Sequence, residues 1–136
     1  MGSIEHIKRA KERSDAVLEE LRSEPATYEG VYERLKEFIR LRYLIDDGFW
    51  SDDVNQLAEH SIELRLAALE DGGGLGDLSM NCAGTSSVET KYALLLITLR
   101  KGLDLTIEPR MAATLDTVPL LAAEVTRQLA QRARAC

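Results

Sequence analysis

The spacing of the apolar residues constrains this chain more than any other feature, because they recur every three or four positions along most of its length. In the first segment Ile7, Val17, Leu18 and Leu21 follow this spacing, with charged residues between them. Such spacing is typical of an amphipathic helix that buries one face. Only residues 103–107 alternate in the manner of a strand, and five residues without a hairpin partner are too few to form a sheet. The sequence therefore predicts an all-α fold.

Glycine and proline mark the predicted helix ends. Pro25 ends the first helix, Gly48 the second, residues 72–74 the third, and Gly102 the apolar helix that begins near residue 88. Ser51 is the predicted N-cap of the third helix. A short helical segment and a final helix complete the prediction.

These boundaries divide the chain into two predicted parts. Residues 1–50 form an N-terminal helical hairpin extension, and residues 51–136 form a four-helix bundle. The sequence leaves open whether the hairpin packs on the bundle, recruits a partner enzyme or forms a homodimer.

Charge and composition exclude several classes of function. The 136 residues carry a formal net charge of −6, which argues against binding to the phosphate backbone of nucleic acids. No apolar run is long enough to span a membrane, and the start of the sequence does not resemble a signal peptide. The two cysteines, Cys82 and Cys136, have neither metal-site nor disulfide spacing. These features predict a cytoplasmic protein.

The predicted elements of residues 53–130 are, in order, a helix, a long glycine-rich loop, an apolar helix, a short helix and a final helix. From the end of the apolar helix onward, a series of positions recurs in a fixed spacing: Leu99, Leu103, Ile107, Ala112, Leu115, Thr117, Val118, Leu120, Leu121 and Val125. This order resembles that of the acyl carrier protein family, and the series fits the family's pattern without a gap. The resemblance implies a carrier-protein-like four-helix bundle.

The family attaches 4′-phosphopantetheine to a serine in the motif Gly-x-Asp-Ser-Leu, at the start of the apolar helix. This chain has Gly84-Thr85-Ser86-Ser87-Val88 there. The resemblance thus implies that Ser87 is the attachment residue, with Ser86 in place of the aspartate and Gly84 in place of the motif's glycine. A phosphodiester at this point would face the unpaired N–H groups of a helix N-terminus.

The implied function is that of a specialised, non-catalytic carrier of acyl or aminoacyl groups. Its implied partners are a phosphopantetheinyl transferase and the acyl-transferring enzymes of lipid or secondary metabolism. Four leucines on the apolar helix and the last helix are the expected lining of a carried chain: Leu95, Leu96, Leu99 and Leu121.

A second hypothesis is a helical adaptor with a carrier-like fold and no prosthetic group. Ser86 and Glu89 form a capping box, which accounts for the serines as a helix start alone. Extending the gapless register backwards from Leu99 also places Glu89, rather than Ser87, at the attachment position.

A third hypothesis is a metal- or diphosphate-dependent enzyme that uses Asp46, Asp47, Asp52 and Asp53. Their spacing matches no calcium loop, and helix-end charges explain them more simply. His60 is expected at the surface, and no local pairing of nucleophile and base indicates catalysis.

Overall fold

The computed structural model describes residues 3–23, 25–45, 47–70 and 88–135. These residues form six helices and no strand, which confirms the predicted all-α fold. The helices are α1 (Ser3–Ser23), α2 (Tyr28–Arg42), α3 (Val54–Glu70), α4 (Val88–Leu103), α5 (Pro109–Thr114) and α6 (Val118–Ala135).

Helices α1 and α2 pack against each other as a helical hairpin. Thr27 caps α2, since its hydroxyl accepts a hydrogen bond from the Gly30 N–H at 3.2 Å. Two ion pairs join the helices on the outside of their apolar contact: Arg13 to Glu37 at 3.1 Å and Arg34 to Glu20 at 3.3 Å. The hairpin is thus closed mainly by its buried stripe, because exposed ion pairs add little stability.

The second helix ends earlier than the expected stop at Gly48. It ends at Arg42, and Leu44 adopts a left-handed conformation with φ of 56°. The Ile45 N–H donates to the Arg40 carbonyl at 2.9 Å, and the Leu44 N–H donates to Leu41 at 3.3 Å. This is a Schellman motif, so backbone hydrogen bonds end α2 before any glycine is reached.

The start of α3 corrects a second prediction, because Asp53 rather than Ser51 is the N-cap. The Asp53 carboxylate accepts from the N–H groups of Asn55 at 2.8 Å and Gln56 at 3.2 Å. Ser51 lies two residues before this cap, and its hydroxyl accepts a hydrogen bond from the Asp53 N–H at 3.1 Å. A carboxylate suits this position because it also complements the positive end of the helix.

Helices α3 and α6 start side by side. The Val54 N–H donates to the Asp116 carbonyl at 3.2 Å, and the Val118 N–H donates to the Asp52 carbonyl at 2.7 Å. Two first-turn donors that have no intrahelical acceptor are satisfied in this way.

The sequence predicts that α4 ends at Gly102, but this prediction is wrong. The helix continues to Leu103, and Asp104 takes the left-handed position with φ of 55°. Gly102 instead permits close packing, because a Cβ atom there would lie 2.6 Å from Cδ1 of Leu18 on α1. Its glycine identity therefore reflects the contact between α1 and α4.

One hydrophobic core joins the hairpin to the later helices. Helix α1 packs on α2 and α4, α2 packs on α6, and α3 packs on α4. The buried cluster includes Phe38 of the hairpin together with the four leucines expected to line a carried chain: Leu95, Leu96, Leu99 and Leu121. The division of the chain after residue 50 stays a prediction.

Within the described residues, no helix combines the length and apolar character needed to cross a membrane.

Candidate functional site

The three residues implied to hold the prosthetic group, Gly84, Ser86 and Ser87, lie outside the described residues. The first described residue after them is Val88, which is also the first residue of α4. The candidate site is therefore built from the first turn of α4 and from the side chains that surround it.

Lys91 is the distinguishing residue of this turn. Its side chain is only 7% exposed, and it is the one charged residue among the buried residues that the structure describes. It lies on the same helix face as Leu95 and Leu99, at spacings of four residues, and so faces the core. Its Nζ atom lies 5.1 Å from the ring centroid of Tyr43, a cation–π contact that offsets part of the cost of burial.

The surroundings of Lys91 favour its neutral form. Burial, together with the like charge of Arg65 on α3, lowers the pKa of Lys91 to about 8. Burial also lowers the pKa of the Arg65 guanidinium. Two cationic side chains thus share a partly desolvated region at the start of α4.

Two tyrosines fix the position of this turn. The Tyr43 hydroxyl donates to the Lys91 carbonyl at 3.4 Å, and the Ser61 hydroxyl donates to the Tyr43 carbonyl at 2.6 Å. The Tyr92 hydroxyl donates to the Leu115 carbonyl. Burial raises the pKa of both phenols above their ordinary value, so both remain hydrogen-bond donors at neutral pH. The end of α2, the middle of α3 and the segment between α5 and α6 are thereby held around α4.

Chemically, this turn is suited to bind an anion. The first N–H groups of a helix have no intrahelical acceptor, and the helix dipole places positive charge at the same end. The ammonium of Lys91 adds to both. The phenols are uncharged, and the acidic side chain of this first turn is that of Glu89.

The aspartates between α2 and α3 have separate structural roles. Asp47 pairs with His60 at 2.8 Å, Asp52 accepts hydrogen bonds from the side chains of Tyr32 and Trp50, and Asp53 caps α3. Asp46 lies outside the described residues. In the part of the chain that the structure describes, no group of three or more His, Cys, Asp or Glu side chains could hold a metal ion.

His60 was expected at the surface, but its side chain is only 20% exposed. Its ring stacks on Phe49 with centroids 4.1 Å apart, while its Nε2 atom bonds Asp47. The hydrogen bond from His60, with a second from the Phe49 N–H, holds the pKa of Asp47 below its ordinary value. His60 therefore fastens the loop between α2 and α3 to the core.

A second feature lies on the hairpin side of the molecule. A cleft of about 220 Å³ runs between α2 and the start of α6. The rings of Tyr28 and Tyr32 stack along one wall with centroids 6.3 Å apart. Three carboxylates and a proline complete the lining: Glu29, Glu33, Asp52 and Pro119.

Comparisons with known proteins gave no match: no family model, no curated protein and no solved structure matches this chain. The resemblance to carrier proteins therefore stays a prediction based on the residues quoted above.

Proposed function

We propose that this chain is a non-catalytic carrier protein that holds an acyl or aminoacyl group on 4′-phosphopantetheine attached to Ser87. The observation that carries the proposal is that Val88, the first described residue after that serine, is helical and belongs to α4. A phosphodiester on Ser87 would lie at a helix N-terminus, where backbone donors and the dipole favour negative charge. The buried ammonium of Lys91 in the same turn adds positive potential.

The helices that follow support the same proposal. The short α5 and the longer α6 follow α4 in the order that the carrier resemblance implies. The four leucines named as a lining are buried between these elements, at 0–6% exposure. Because they are already packed, an acyl chain would have to displace neighbouring side chains in order to enter.

In this proposal the partners are a phosphopantetheinyl transferase and biosynthetic acyl-transferring enzymes in the cytoplasm. The outer face of α4 carries the half-exposed apolar side chains Leu94 and Ile97, while the chain as a whole is acidic. Partner enzymes would therefore meet apolar contacts on α4 itself.

The test is intact-protein mass spectrometry before and after incubation with coenzyme A and a broad-specificity phosphopantetheinyl transferase. We expect one added phosphopantetheine, mapped to Ser87 and lost in Ser87→Ala. Ser86→Ala is the matched control and should still be modified. An unchanged mass in a folded sample would reject the carrier function.

The acidic, tyrosine-lined cleft favours a second candidate, a helical adaptor that binds a basic segment of a partner protein. Carboxylates and tyrosine faces together suit a lysine or arginine side chain. In a strain that depends on this protein, an adaptor should tolerate Ser87→Ala and fail when Glu29 and Glu33 are both changed to Lys. The reverse result would favour the carrier.

The same hairpin is the proposed surface for a homodimer, which analytical ultracentrifugation would reveal.

A further inference from the structure

The outer side of α2 carries four charged residues in one row, which we call the charge stripe: Glu29, Glu33, Lys36 and Arg40. Spacings of four, three and four residues place them on one side of the helix. The two glutamates are exposed, and the two cations are half-buried. The stripe is therefore acidic in the N-terminal half of α2 and basic in the C-terminal half.

Two other charged residues of α2 face α1 and are paired there. Arg34 pairs with Glu20 at 3.3 Å, and Glu37 pairs with Arg13 at 3.1 Å. The four residues of the charge stripe, in contrast, form no ion pair with any residue that the structure describes. Within each half of the stripe, like charges lie four residues apart, an arrangement that destabilises an isolated helix. Opposite charges from another molecule would relieve this repulsion.

The basic half of the stripe lies against Trp50. The Lys36 Nζ atom is 5.3 Å and the Arg40 Cζ atom 5.9 Å from its ring centroid. These cation–π contacts offset part of the cost of half-burying two cations. The Nε atom of Arg40 is buried and has no hydrogen-bond partner among the described residues. The described part of the chain thus provides this half with an aromatic face and no carboxylate.

The order of the charges makes the stripe complementary to itself. In two antiparallel copies of α2 related by a two-fold axis, residues lie opposite each other when their numbers have the same total. Glu29 with Arg40, and Glu33 with Lys36, share the total of 69. A single register therefore opposes each glutamate of the stripe to a cation of the second copy, and it forms four ion pairs.

We propose that the charge stripe is the interface of a weak antiparallel homodimer, in which Glu29 pairs with Arg40 and Glu33 with Lys36 of the second copy. The inference rests on the homodimer proposed above and assigns its surface and register. Tyr28, which is 41% exposed, lines the cleft beside the acidic half and adds apolar contact area. A single helix face is smaller than an obligate interface, so we expect a micromolar Kd that depends on salt.

The first measurement is analytical ultracentrifugation of the full chain at two salt concentrations. The dimer should bind about 30-fold more tightly in about 0.05 M than in about 0.5 M sodium chloride, because salt screens the four pairs. Trp50 is the one tryptophan of the chain, and its fluorescence emission should change over the same range of protein concentration. A wild type that stays monomeric at low salt and millimolar concentration would reject the interface, since the charges would then complement only the helix dipole.

Charge reversal tests the register. Glu29→Lys with Glu33→Lys makes the stripe wholly basic, and Lys36→Glu with Arg40→Glu makes it wholly acidic. Each double variant alone should dimerise at least about 100-fold more weakly than the wild type, because every cross pair becomes repulsive. An equimolar mixture of the two should restore a dimer, since every cross pair is then attractive again.

Two further variants serve as controls. Glu59→Lys with Glu63→Lys reverses two exposed glutamates four residues apart on α3 and should leave the homodimer intact. Glu33→Lys with Lys36→Glu in one chain exchanges the central pair at constant net charge, so it should dimerise like the wild type, whereas Glu33→Lys alone should not. Circular dichroism checks that each variant is folded.

The outcomes are distinguishable. A dimer that survives both reversals rejects the charge stripe and leaves a homodimer through another face. Loss of the dimer in both variants without recovery on mixing rejects the antiparallel register. A monomeric wild type whose acidic half binds a basic peptide also rejects the proposal and favours the adaptor. None of these results bears on the carrier function, which the modification of Ser87 decides.

Discussion

The two ends of α4 differ in how they place electric charge. At the C-terminal end, Arg22 donates to the Gly102 carbonyl at 2.6 Å and Arg132 donates to the Leu103 carbonyl at 2.8 Å. These cations meet the last carbonyls of the helix, where the dipole is negative. At the N-terminal end, the cation Lys91 is buried where the dipole is positive. The N-terminal end also carries Glu89, which complements the dipole, so Lys91 is the one of these two charges that the dipole does not favour.

This difference separates the residues that maintain the fold from those available for function. The C-terminal end is tied to α1 and α6 by side chains that satisfy backbone groups, as a structural joint requires. The N-terminal end carries the buried ammonium of Lys91, which burial and the helix dipole both disfavour. Local violations of this kind are expected at functional sites.

The largest expected effect is that of Gly102→Val, which disrupts the packing at the C-terminal end of α4. The new side chain would clash with Leu18, which is itself buried. We expect a loss of about 3 kcal/mol in the free energy of unfolding, measured in urea. Because the clash is with one side chain, Gly102→Val with Leu18→Ala should be less destabilised than the sum of the two single variants. Simple additivity would contradict the assigned contact.

The next largest effect is the pH dependence of stability that Lys91 causes at the N-terminal end of α4. The folded pKa of Lys91, about 8, lies below its ordinary value of 10.5, so the folded chain releases this proton first as pH rises. The unfolded chain then binds more protons, and stability should increase by about 2 kcal/mol between pH 7 and pH 10 in phosphate-free buffer. Above about pH 10 the raised phenol pKa values of Tyr43 and Tyr92 oppose the increase.

Lys91→Met is the control for this pH dependence. It should be more stable than the wild type at pH 7, and the increase between pH 8 and pH 10 should be absent. An equal increase in both proteins would assign it to other groups.

A smaller effect is expected from Arg132→Ala, which removes hydrogen bonds to the carbonyls of Leu103, the last residue of α4, and of Asp104, which follows it. We expect a loss of about 1 kcal/mol in the free energy of unfolding. Arg127→Ala, on the same helix, removes an exposed pair with Glu124 and should cost about 0.5 kcal/mol or less. Equal losses would show that Arg132 acts only as a surface charge.

The smallest expected effect is a gain. Asp104 occupies a left-handed position that glycine adopts without strain. Asp104→Gly should stabilise the protein by about 0.5 kcal/mol, the relief of strain being partly offset by the greater freedom of glycine in the unfolded chain. A destabilised variant would mean that the Asp104 side chain itself stabilises the end of α4.

The sequence predicted the helices well, because their 3.6-residue apolar period is a local property. It was less successful with the helix ends. Leu44 and Asp104 take left-handed conformations normally associated with glycine, while Gly102 lies inside a helix because of a tertiary contact. Contacts between residues distant in sequence determine where these helices end, and the local sequence pattern does not predict such contacts.

Only part of the candidate site could be predicted from the sequence. A lysine in a helix is ordinarily assigned to the solvent face, yet Lys91 precedes Leu95 and Leu99 at intervals of four residues. That spacing was the available signal for its burial. The hydrogen bonds of Tyr43 and Tyr92 to distant carbonyls had no such signal, since their partners lie in other elements.

The packing of α2 against α6 has a consequence for synthesis on the ribosome. Helix α2 is made early, whereas α6 is the last described helix to be made. Until α6 is made, part of the apolar stripe of α2 around Phe38 stays exposed to solvent, because α2 can pack only on α1. Completion of the core is therefore delayed until the C-terminal helix emerges, so the nascent chain carries an exposed apolar surface of the type that chaperones bind.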